Sequence, residues 1–344
     1  MDILTHGLAS LAAARGFFPR AGKLAMVGAV IAGCIADIDW LSSYAGPSTF
    51  LAWHGTYTHS ILSIFLFLGT IPSVPIARYY LVPDNRSVDS RRTAAKVWGG
   101  VLRVAFCAAL LHIAMDACQS DGVMLFWPFS SRRFAADWLP GIDPWILTIL
   151  IAAIVIPELL RLVGSEIGAK SKKPRGQTGA LIGLALVLVY VGARATVHSN
   201  VMALLESRTF HGETPRRVWA YPESLSLLTW HAVVETESAL DEIDVNAAAA
   251  SDFDPDSSVR IFKPESSPEL QAARNTDTAR RFLATAQIPK ASLEKTEAGY
   301  AVVLRDLRYA AAGETKHEVA AYIELDRNNQ VTTQELVWAR DLRQ

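Results

Sequence analysis

The sequence predicts a mainly α-helical protein: a polytopic membrane helical bundle followed by a C-terminal soluble α+β domain. Of its 344 residues, 51% are hydrophobic and 19% are charged, and this charged fraction lies below the roughly 25% of ordinary soluble domains. Residues 1–198 carry 17 Lys and Arg against 11 Asp and Glu, and residues 199–344 carry 16 against 23, so the net charge changes from +6 to −7. We therefore divide the chain into a membrane-embedded domain, 1–198, and a soluble domain, 199–344.

Four segments of the first domain are long and apolar enough to cross a membrane as helices, which takes about 20 residues. They are residues 61–82, 97–116, 142–163 and 178–197. Two shorter apolar runs, residues 3–14 and 24–36, precede them, and we expect tilted or half-buried helices, or part of the bundle core, there. Three cysteines in this length form no disulfide framework.

Basic loops orient these helices. Residues 85–96 and 164–177 each contain four Lys or Arg residues, and the positive-inside rule places such loops in the cytoplasm. Residues 37–59, residues 118–141 and everything after Val197 then lie on the other side. We predict a multi-pass membrane protein in contact with lipids, with an extracytoplasmic C-terminal domain.

The second domain has the patterns of a soluble α+β fold. Residues 300–309 alternate like a strand, and residues 317–325 and 330–337 flank Asp326-Arg327-Asn328-Asn329, a composition typical of a hairpin turn. Residues 276–286 have helical spacing. We expect the acidic stretch 235–256 to be a loop or a poorly packed helix.

Seven ionisable residues lie in or beside the apolar segments, where charge is costly and needs a partner or a purpose. They are His6, Asp37, Asp39, His54, His59, His112 and Asp116, and they include four of the eight histidines. The orientation deduced from Lys and Arg alone brings all seven to the outer face. Taken singly, each has an ordinary interpretation as a packing residue, a helix cap or a hydrogen-bonded pair, but together they predict a metal site.

The spacing supports metal binding. His112 and Asp116 are an i, i+4 pair on one helix face, and imidazole with carboxylate is a usual ligand set of catalytic zinc. Of Asp37 and Asp39, one can bind the ion and the other can orient a histidine, and the sequence leaves the choice open. We predict a divalent cation, with Zn²⁺ expected, at five donors: His6, Asp39, His59, His112 and Asp116. Five donors suffice for one ion with a position for water, or for two ions sharing Asp116.

These residues predict a membrane-bound metal-dependent hydrolase. A bound divalent cation lowers the pKa of water and polarises the scissile group. Whichever of Asp37 and Asp39 is not a ligand would act as general base, and His54 would be a ligand, an acid–base group or a hydrogen-bond donor to phosphate. The outer position of the site suggests an ester or phosphodiester, one derived from lipid among the possibilities.

Other classes are predicted less strongly. The polar cluster could be a structural metal or hydrogen-bond node of a non-catalytic protein whose acidic tail binds a periplasmic protein. A structural site is closed at four protein donors, whereas a catalytic site keeps an open position. A transporter is least favoured, because the inner halves of the helices offer only Arg103, Glu158 and Arg161. The basic loops are explained by topology, so nucleic-acid binding is not predicted.

As an ordered set, five segments resemble the YdjM-like family of bacterial inner-membrane proteins. They are Asp2-Ile-Leu-Thr-His6-Gly-Leu, Ile35-Ala-Asp37-Ile-Asp39, His54-Gly-Thr-Tyr-Thr-His59-Ser60, Leu111-His112-Ile-Ala-Met-Asp116 and Trp127-Pro-Phe-Ser130. The resemblance covers roughly residues 1–200 and implies a metal-dependent hydrolase of the inner membrane, in some members under LexA control. Trp230 and Asp306-Leu-Arg-Tyr309 are similar to the periplasmic extension of some members.

The order His, Asp, His, His-x-x-x-Asp is also similar, more distantly, to zinc-dependent phospholipase C and the single-strand nucleases of that all-helical fold. This likeness implies two of three zinc positions, built from His6, Asp37 or Asp39, His59, His112 and Asp116. Donors for a third zinc have no match in this chain.

Overall fold

A computed structural model describes residues 1–67, 88–166, 174, 176–311 and 318–343. It divides into two compact units. The helical unit comprises Met1–Asp39 and Gly55–Arg194, and the C-terminal unit comprises Trp40–His54 and Ala195–Gln344. Residues 40–54, which the sequence suggested as part of the membrane domain, thus group with the C-terminal residues.

Helices build the N-terminal part of the chain, as predicted. They are α1 (Ile3–Phe17), α2 (Gly22–Cys34), a 3-10 helix (Ile35–Ala45), α3 (Pro47–Trp53), α4 (Val88–Ala117), α5 (Pro144–Glu166) and α6 (Gln177–Glu206). Asp2 caps α1 by accepting the Thr5 N–H at 3.0 Å, and Asp143 caps α5 by accepting the N–H groups of Trp145 and Ile146, both at 3.0 Å. Such caps satisfy amides that have no partner within the helix.

Within the described residues, four helical segments have the length and apolar composition to cross a membrane. They are Gly22–Ala45, Lys96–Ala117, Pro144–Val163 and Gln177–Glu206. The last three correspond to predicted spans, and most of the predicted span 61–82 lies outside the described residues. The first is longer than the apolar run 24–36 suggested, because the 3-10 helix continues the segment through Asp37 and Asp39.

Small side chains let α1, α2 and α4 approach one another closely. The contact between α2 and α4 consists of alanines and valines: Ala25, Ala29, Ala32, Val101, Val104, Ala105 and Ala108. Between α1 and α2, Gly33 leaves so little room that an added Cβ would lie 2.7 Å from the Cβ of Ser10. This close packing brings His6 of α1 against His112 of α4, next to the 3-10 helix that follows α2 and carries Asp37.

The C-terminal unit contains two four-stranded antiparallel sheets in simple sequential order. The first has β1 (Arg217–Pro222), β2 (Thr229–Glu235), β3 (Ala239–Asn246) and β4 (Val259–Phe262); the second has β5 (Pro289–Lys295), β6 (Gly299–Asp306), β7 (Val319–Asp326) and β8 (Val331–Trp338). Within the described residues they are accompanied by three short α-helices, α7 (Pro268–Arg274), α8 (Asp277–Leu283) and α9 (Leu307–Ala311), and by three 3-10 helices (Ala247–Asp252, Pro255–Ser257 and Ala339–Arg343). The predicted α+β character of this part of the chain is confirmed.

Individual elements of this unit can be compared with the sequence. The predicted hairpin joins β7 to β8, and Asn329 in its turn has a φ of 60°. The predicted helix forms as α8, whereas the strand expected over residues 300–309 ends at Asp306 and continues as α9. The interpretation of residues 235–256 as loop or loose helix is wrong over Ala239–Asn246, which is the interior strand β3. Ile243 and Val245 of β3 are buried, and the acidic residues Asp241, Glu242 and Asp244 conceal this pattern in the sequence.

Candidate metal centre

Four residues from three helical segments form a buried group in the helical unit. His6 comes from α1, Asp37 from the 3-10 helix, and His112 and Asp116 from α4. Each offers one ligand atom, and these atoms all lie within 4.8 Å of one another. The four residues are 0–7% exposed. Two imidazoles and two carboxylates at this spacing can hold a metal ion.

Asp116 lies at the centre of the group. Its Oδ1 is 3.0 Å from Nε2 of His6, and its Oδ2 is 3.0 Å from Nε2 of His112. The ammonium group of Met1 also contacts Oδ1, at 2.6 Å. The rings of His6 and His112 lie against each other with centroids 3.8 Å apart. One carboxylate therefore joins the two histidines contributed by α1 and α4.

The orientation of His112 is set by the backbone of α2. Nδ1 of His112 lies 2.7 Å from the carbonyl oxygen of Gly33, and a carbonyl can only accept, so Nδ1 carries the proton. Nε2 then presents its lone pair to Asp116 and to Oδ1 of Asp37, which is 3.8 Å away. A second partner that fixes the tautomer in this way is typical of histidines that bind metals.

His59 contacts the same carboxylates from a different segment. Its Nε2 is 3.2 Å from Oδ2 of Asp116 and 3.8 Å from Oδ1 of Asp37. Burial disfavours the charged imidazolium, but the carboxylates of Asp116, Asp37 and Asp39 outweigh it and hold the pKa of His59 well above its ordinary value. The carboxylates around His59 thus stabilise a positive charge at this position.

Asp39 and Thr58 orient His59. The hydroxyl of Thr58 donates to Oδ2 of Asp39 at 3.0 Å, and the backbone N–H of Gly55 donates to the same oxygen at 2.9 Å. Nδ1 of His59 lies 2.9 Å from the Thr58 hydroxyl oxygen and 3.2 Å from Asp39 Oδ2. Because the Thr58 proton is directed to Asp39, its oxygen accepts from Nδ1–H, and Nε2 is left facing the cluster.

The four residues of the group have buried polar atoms whose hydrogen-bonding capacity is not used within the described part of the chain. These atoms are Nδ1 of His6, Oδ2 of Asp37, Nε2 of His112 and Oδ2 of Asp116. A buried polar atom without a partner is costly. Nε2 of His112 and Oδ2 of Asp116 lie 3.0 Å apart, so a divalent cation fits them as a shared partner.

Six of the seven predicted residues lie in the helical unit, and the two aspartates occupy different positions there. Asp37 belongs to the four-residue group. Asp39, predicted as a ligand, instead contacts Nδ1 of His59, the ring nitrogen on the far side from the group. His54 belongs to the C-terminal unit, where its ring stacks on Phe50 with centroids 4.7 Å apart, and its catalytic role stays a prediction.

Sequence reasoning missed two positioning groups. Thr58 precedes His59 directly, and a hydroxyl beside a candidate ligand was an available signal. The carbonyl of Gly33 gives no signal in the sequence, because every residue has one.

Comparison with known proteins identifies relatives of both parts of the chain. A family model described as YdjM inner membrane protein matches residues 1–201, and one described as YfhP C-terminal alpha/beta plait domain matches residues 268–344. The chain is similar to "Uncharacterized protein YfhP" of Bacillus subtilis (strain 168), with 24% identity over 156 residues; the match covers 45% of this chain and 43% of that protein. No solved structure matches the chain. The likeness to zinc-dependent phospholipase C is not shown by these comparisons.

Proposed function

Because the chain belongs to the YdjM inner membrane protein family, we propose that it is a membrane-bound metal-dependent hydrolase. The observation that carries the proposal is the buried group of His6, Asp37, His112 and Asp116, whose ligand atoms lie within 4.8 Å of one another. We propose both the hydrolase activity and Zn²⁺ as the bound ion.

The residues divide into two roles. His6, Asp37, His112 and Asp116 would hold the ion, which when bound lowers the pKa of water and polarises the scissile group. An ion bound to Asp37 and Asp116 would neutralise carboxylates that raise the pKa of His59. Nε2 of His59, which faces the cluster at 3.2 Å from Asp116, would then be free to take a proton as general base. Asp39 is a positioning residue that acts through His59. This proposal moves the base role from an aspartate to His59, and it makes Asp37 rather than Asp39 the ligand.

The location of the cluster bears on the substrate. His112 and Asp116 lie in the last turns of the candidate span Lys96–Ala117, at the other end of α4 from the predicted basic loop 85–96, which from Val88 on is helical. With those basic residues in the cytoplasm, the cluster would face the periplasmic side, and so would the C-terminal domain. We propose an ester or phosphodiester of amphiphilic character as the substrate, because the cluster lies within a helical bundle at the edge of the lipid layer.

One observation favours a second candidate function. The mutually close group contains four protein donors, and four is the number that closes a structural zinc site. On this alternative the chain is non-catalytic, the ion ties together α1, α4 and the 3-10 helix that follows α2, and the C-terminal domain binds a periplasmic protein.

Metal content tests the shared premise of both candidates. We expect the full chain, purified in detergent, to retain about one divalent ion, and His112→Ala and Asp116→Ala to lose it. Asp143→Ala is the matched control, because it removes another buried carboxylate of the helical unit, one that caps α5. An unchanged metal content in both cluster variants would end the metal claim.

Hydrolysis separates the two candidates. The wild-type protein is assayed with bis(p-nitrophenyl) phosphate and p-nitrophenyl butyrate, and the hydrolase proposal expects turnover that disappears in Asp116→Ala. His59→Gln is expected to keep the metal and to lose about 100-fold or more in rate, the usual share of a general base. Loss of the metal in His59→Gln would instead make His59 a ligand, and a loaded protein inert toward both probes would favour the structural site.

A further inference from the structure

A second cavity lies in the helical unit, at the opposite end of α4 from the metal cluster. It has a volume of about 730 Å³ and is lined by the turn between α1 and α2, the beginning of the candidate span in α4, and the residues that lead into α6. Lys96 and His112 are 16 residues apart on α4, which corresponds to roughly 24 Å along the helix. The cavity is therefore separate from the proposed hydrolytic site, and its volume is that of a small-molecule site.

Three cationic side chains converge on this cavity from two segments of the chain. Arg20 comes from the turn after α1, and Lys96 and Arg103 come from α4. No acidic residue is among the described residues that line it. An unspecific topology signal requires only that basic residues lie on one side of the membrane, whereas here they surround one space.

Arg103 is the most informative of the three. It lies seven residues inside the candidate span Lys96–Ala117, roughly 10 Å along the helix, where an unpaired cation is costly. Its Nε donates to the carbonyl of Gly99 at 3.0 Å. Within the described ranges no carboxylate lies within ion-pair distance of Arg103, so its terminal guanidinium nitrogens are available to an anion in the cavity.

Apart from Gln177, the remaining described residues that line the cavity are apolar. Phe17, Phe18 and Val97 contribute to the walls, and Phe17 is 65% and Val97 44% exposed. The cavity thus combines cations with apolar surface at the beginning of three candidate spans, Gly22–Ala45, Lys96–Ala117 and Gln177–Glu206. A phospholipid headgroup and the first part of its acyl chains present the complementary pattern.

We propose that this cavity binds an anionic phospholipid, with the headgroup phosphate on Arg20, Lys96 and Arg103 and an acyl chain along Phe17 and Val97. Basic pockets between membrane helices on the cytoplasmic side are suited to such headgroups, and the anionic lipids of that leaflet supply them. The proposal does not depend on the hydrolase activity, since it concerns the opposite end of the bundle.

Native mass spectrometry of the full chain in detergent tests this site. The protein is incubated with equal amounts of phosphatidylglycerol and phosphatidylcholine, and bound lipid is counted. We expect a preference for phosphatidylglycerol of at least tenfold, since each basic residue near an anionic lipid contributes about fivefold in affinity. The triple variant R20Q/K96Q/R103Q should bind the two lipids equally, and R103Q alone should lose about fivefold of the preference.

Lys23→Gln is the matched control. Lys23 is an exposed cation at the same end of the bundle, in the first turn of α2, and it is not among the described residues that line the cavity. The proposal is overturned if Lys23→Gln lowers the preference as much as Arg103→Gln, because general surface charge would then explain it. It is also overturned if soluble glycerol 3-phosphate displaces phosphatidylglycerol at equal concentration, since the site would then bind free phosphate esters.

Discussion

Substituting Gly33 by alanine tests whether the packing of α1 on α2 holds the metal cluster together. A Cβ at this position would lie 1.9 Å from Oγ and 2.7 Å from Cβ of Ser10, and 3.2 Å from the carbonyl oxygen of His6. The Ser10 hydroxyl can rotate away, but its Cβ cannot. Because carbon atoms prefer separations of about 3.5–4.0 Å, α1 must move away from α2 by roughly 1 Å.

This displacement affects two ligands at once. α1 carries His6, and the carbonyl of Gly33 accepts the hydrogen bond that orients His112 at 2.7 Å. Overpacking of this kind costs about 1–3 kcal/mol, against about 1 kcal/mol gained from alanine in a helix. Global stability therefore changes little or falls by at most about 2 kcal/mol. Metal affinity falls about 10–100-fold, the usual consequence of losing the group that orients a metal-binding histidine.

Isothermal titration of the purified full chain with Zn²⁺ measures the effect. Gly99→Ala is the control, because it places the same methyl group on α4 where no described atom lies within 4 Å, and its affinity should equal that of the wild type. The double variant Gly33→Ala/Ser10→Gly removes the clashing atoms of Ser10 and should recover most of the affinity. If Gly33→Ala binds Zn²⁺ as tightly as the wild type, close helix packing does not position the ligands.

Three further predictions follow from individual contacts. Asp39→Asn removes the carboxylate that orients His59 at 3.2 Å, and we expect hydrolysis of bis(p-nitrophenyl) phosphate to fall about 10–100-fold while metal content is retained; loss of the metal would show that Asp39 is a ligand. Removal of the ion with EDTA should lower the thermal unfolding temperature of the wild type but not of Asp116→Ala, since free metal at about 100 times Kd stabilises a protein by about 2.7 kcal/mol. In the C-terminal unit, hydrogen bonds from Ser238 lower the pKa of Glu213 from 4.5 to about 2. The folded state thus favours the carboxylate, so stability should be lost as the pH falls from about 5 to about 2, and a Glu213→Gln variant with an unchanged pH profile would contradict this.

The metal cluster was predictable as a set but not in its roles. Ionisable residues in apolar segments are rare because they are costly there, so they can be recognised in the sequence. The i, i+4 spacing of His112 and Asp116 indicates that they act together. Asp37 and Asp39 lie two residues apart in a 3-10 helix with three residues per turn, so their side chains point roughly 120° apart. Only one can face His112. The rotation of that helix depends on how the preceding helix α2 packs against α4, which the local sequence does not encode.

In the C-terminal unit, the local sequence is enough to predict a turn but not the strand β3. The turn Asp326–Asn329 is recognisable because Asp326 accepts the N–H groups of Asn328 and Gln330, both at 2.8 Å, a local pattern. Strand β3 is recognisable only from its neighbours. Its acidic residues make it resemble a loop, but pairing with β2 and β4 satisfies its backbone, and Ile243 and Val245 pack into a buried cluster with Phe210. Where long-range pairing decides the structure, local composition is a poor guide.

The donor set also argues for the kind of ion. Within the described chain, no lysine or arginine side chain pairs with Asp37 or Asp116, although both carboxylates are buried. The Met1 ammonium group pairs with Asp116, whereas the imidazole nitrogens of His59 and His112 lie 3.8 Å from Asp37, beyond hydrogen-bond distance. The buried negative charge of Asp37 is therefore poorly compensated within the described residues. Ca²⁺ and Mg²⁺ prefer oxygen ligands throughout, whereas two imidazoles with two carboxylates suit Zn²⁺ or another first-row transition metal. A divalent transition metal would therefore both compensate the negative charge of the aspartates and bind the nitrogen atoms of the histidines.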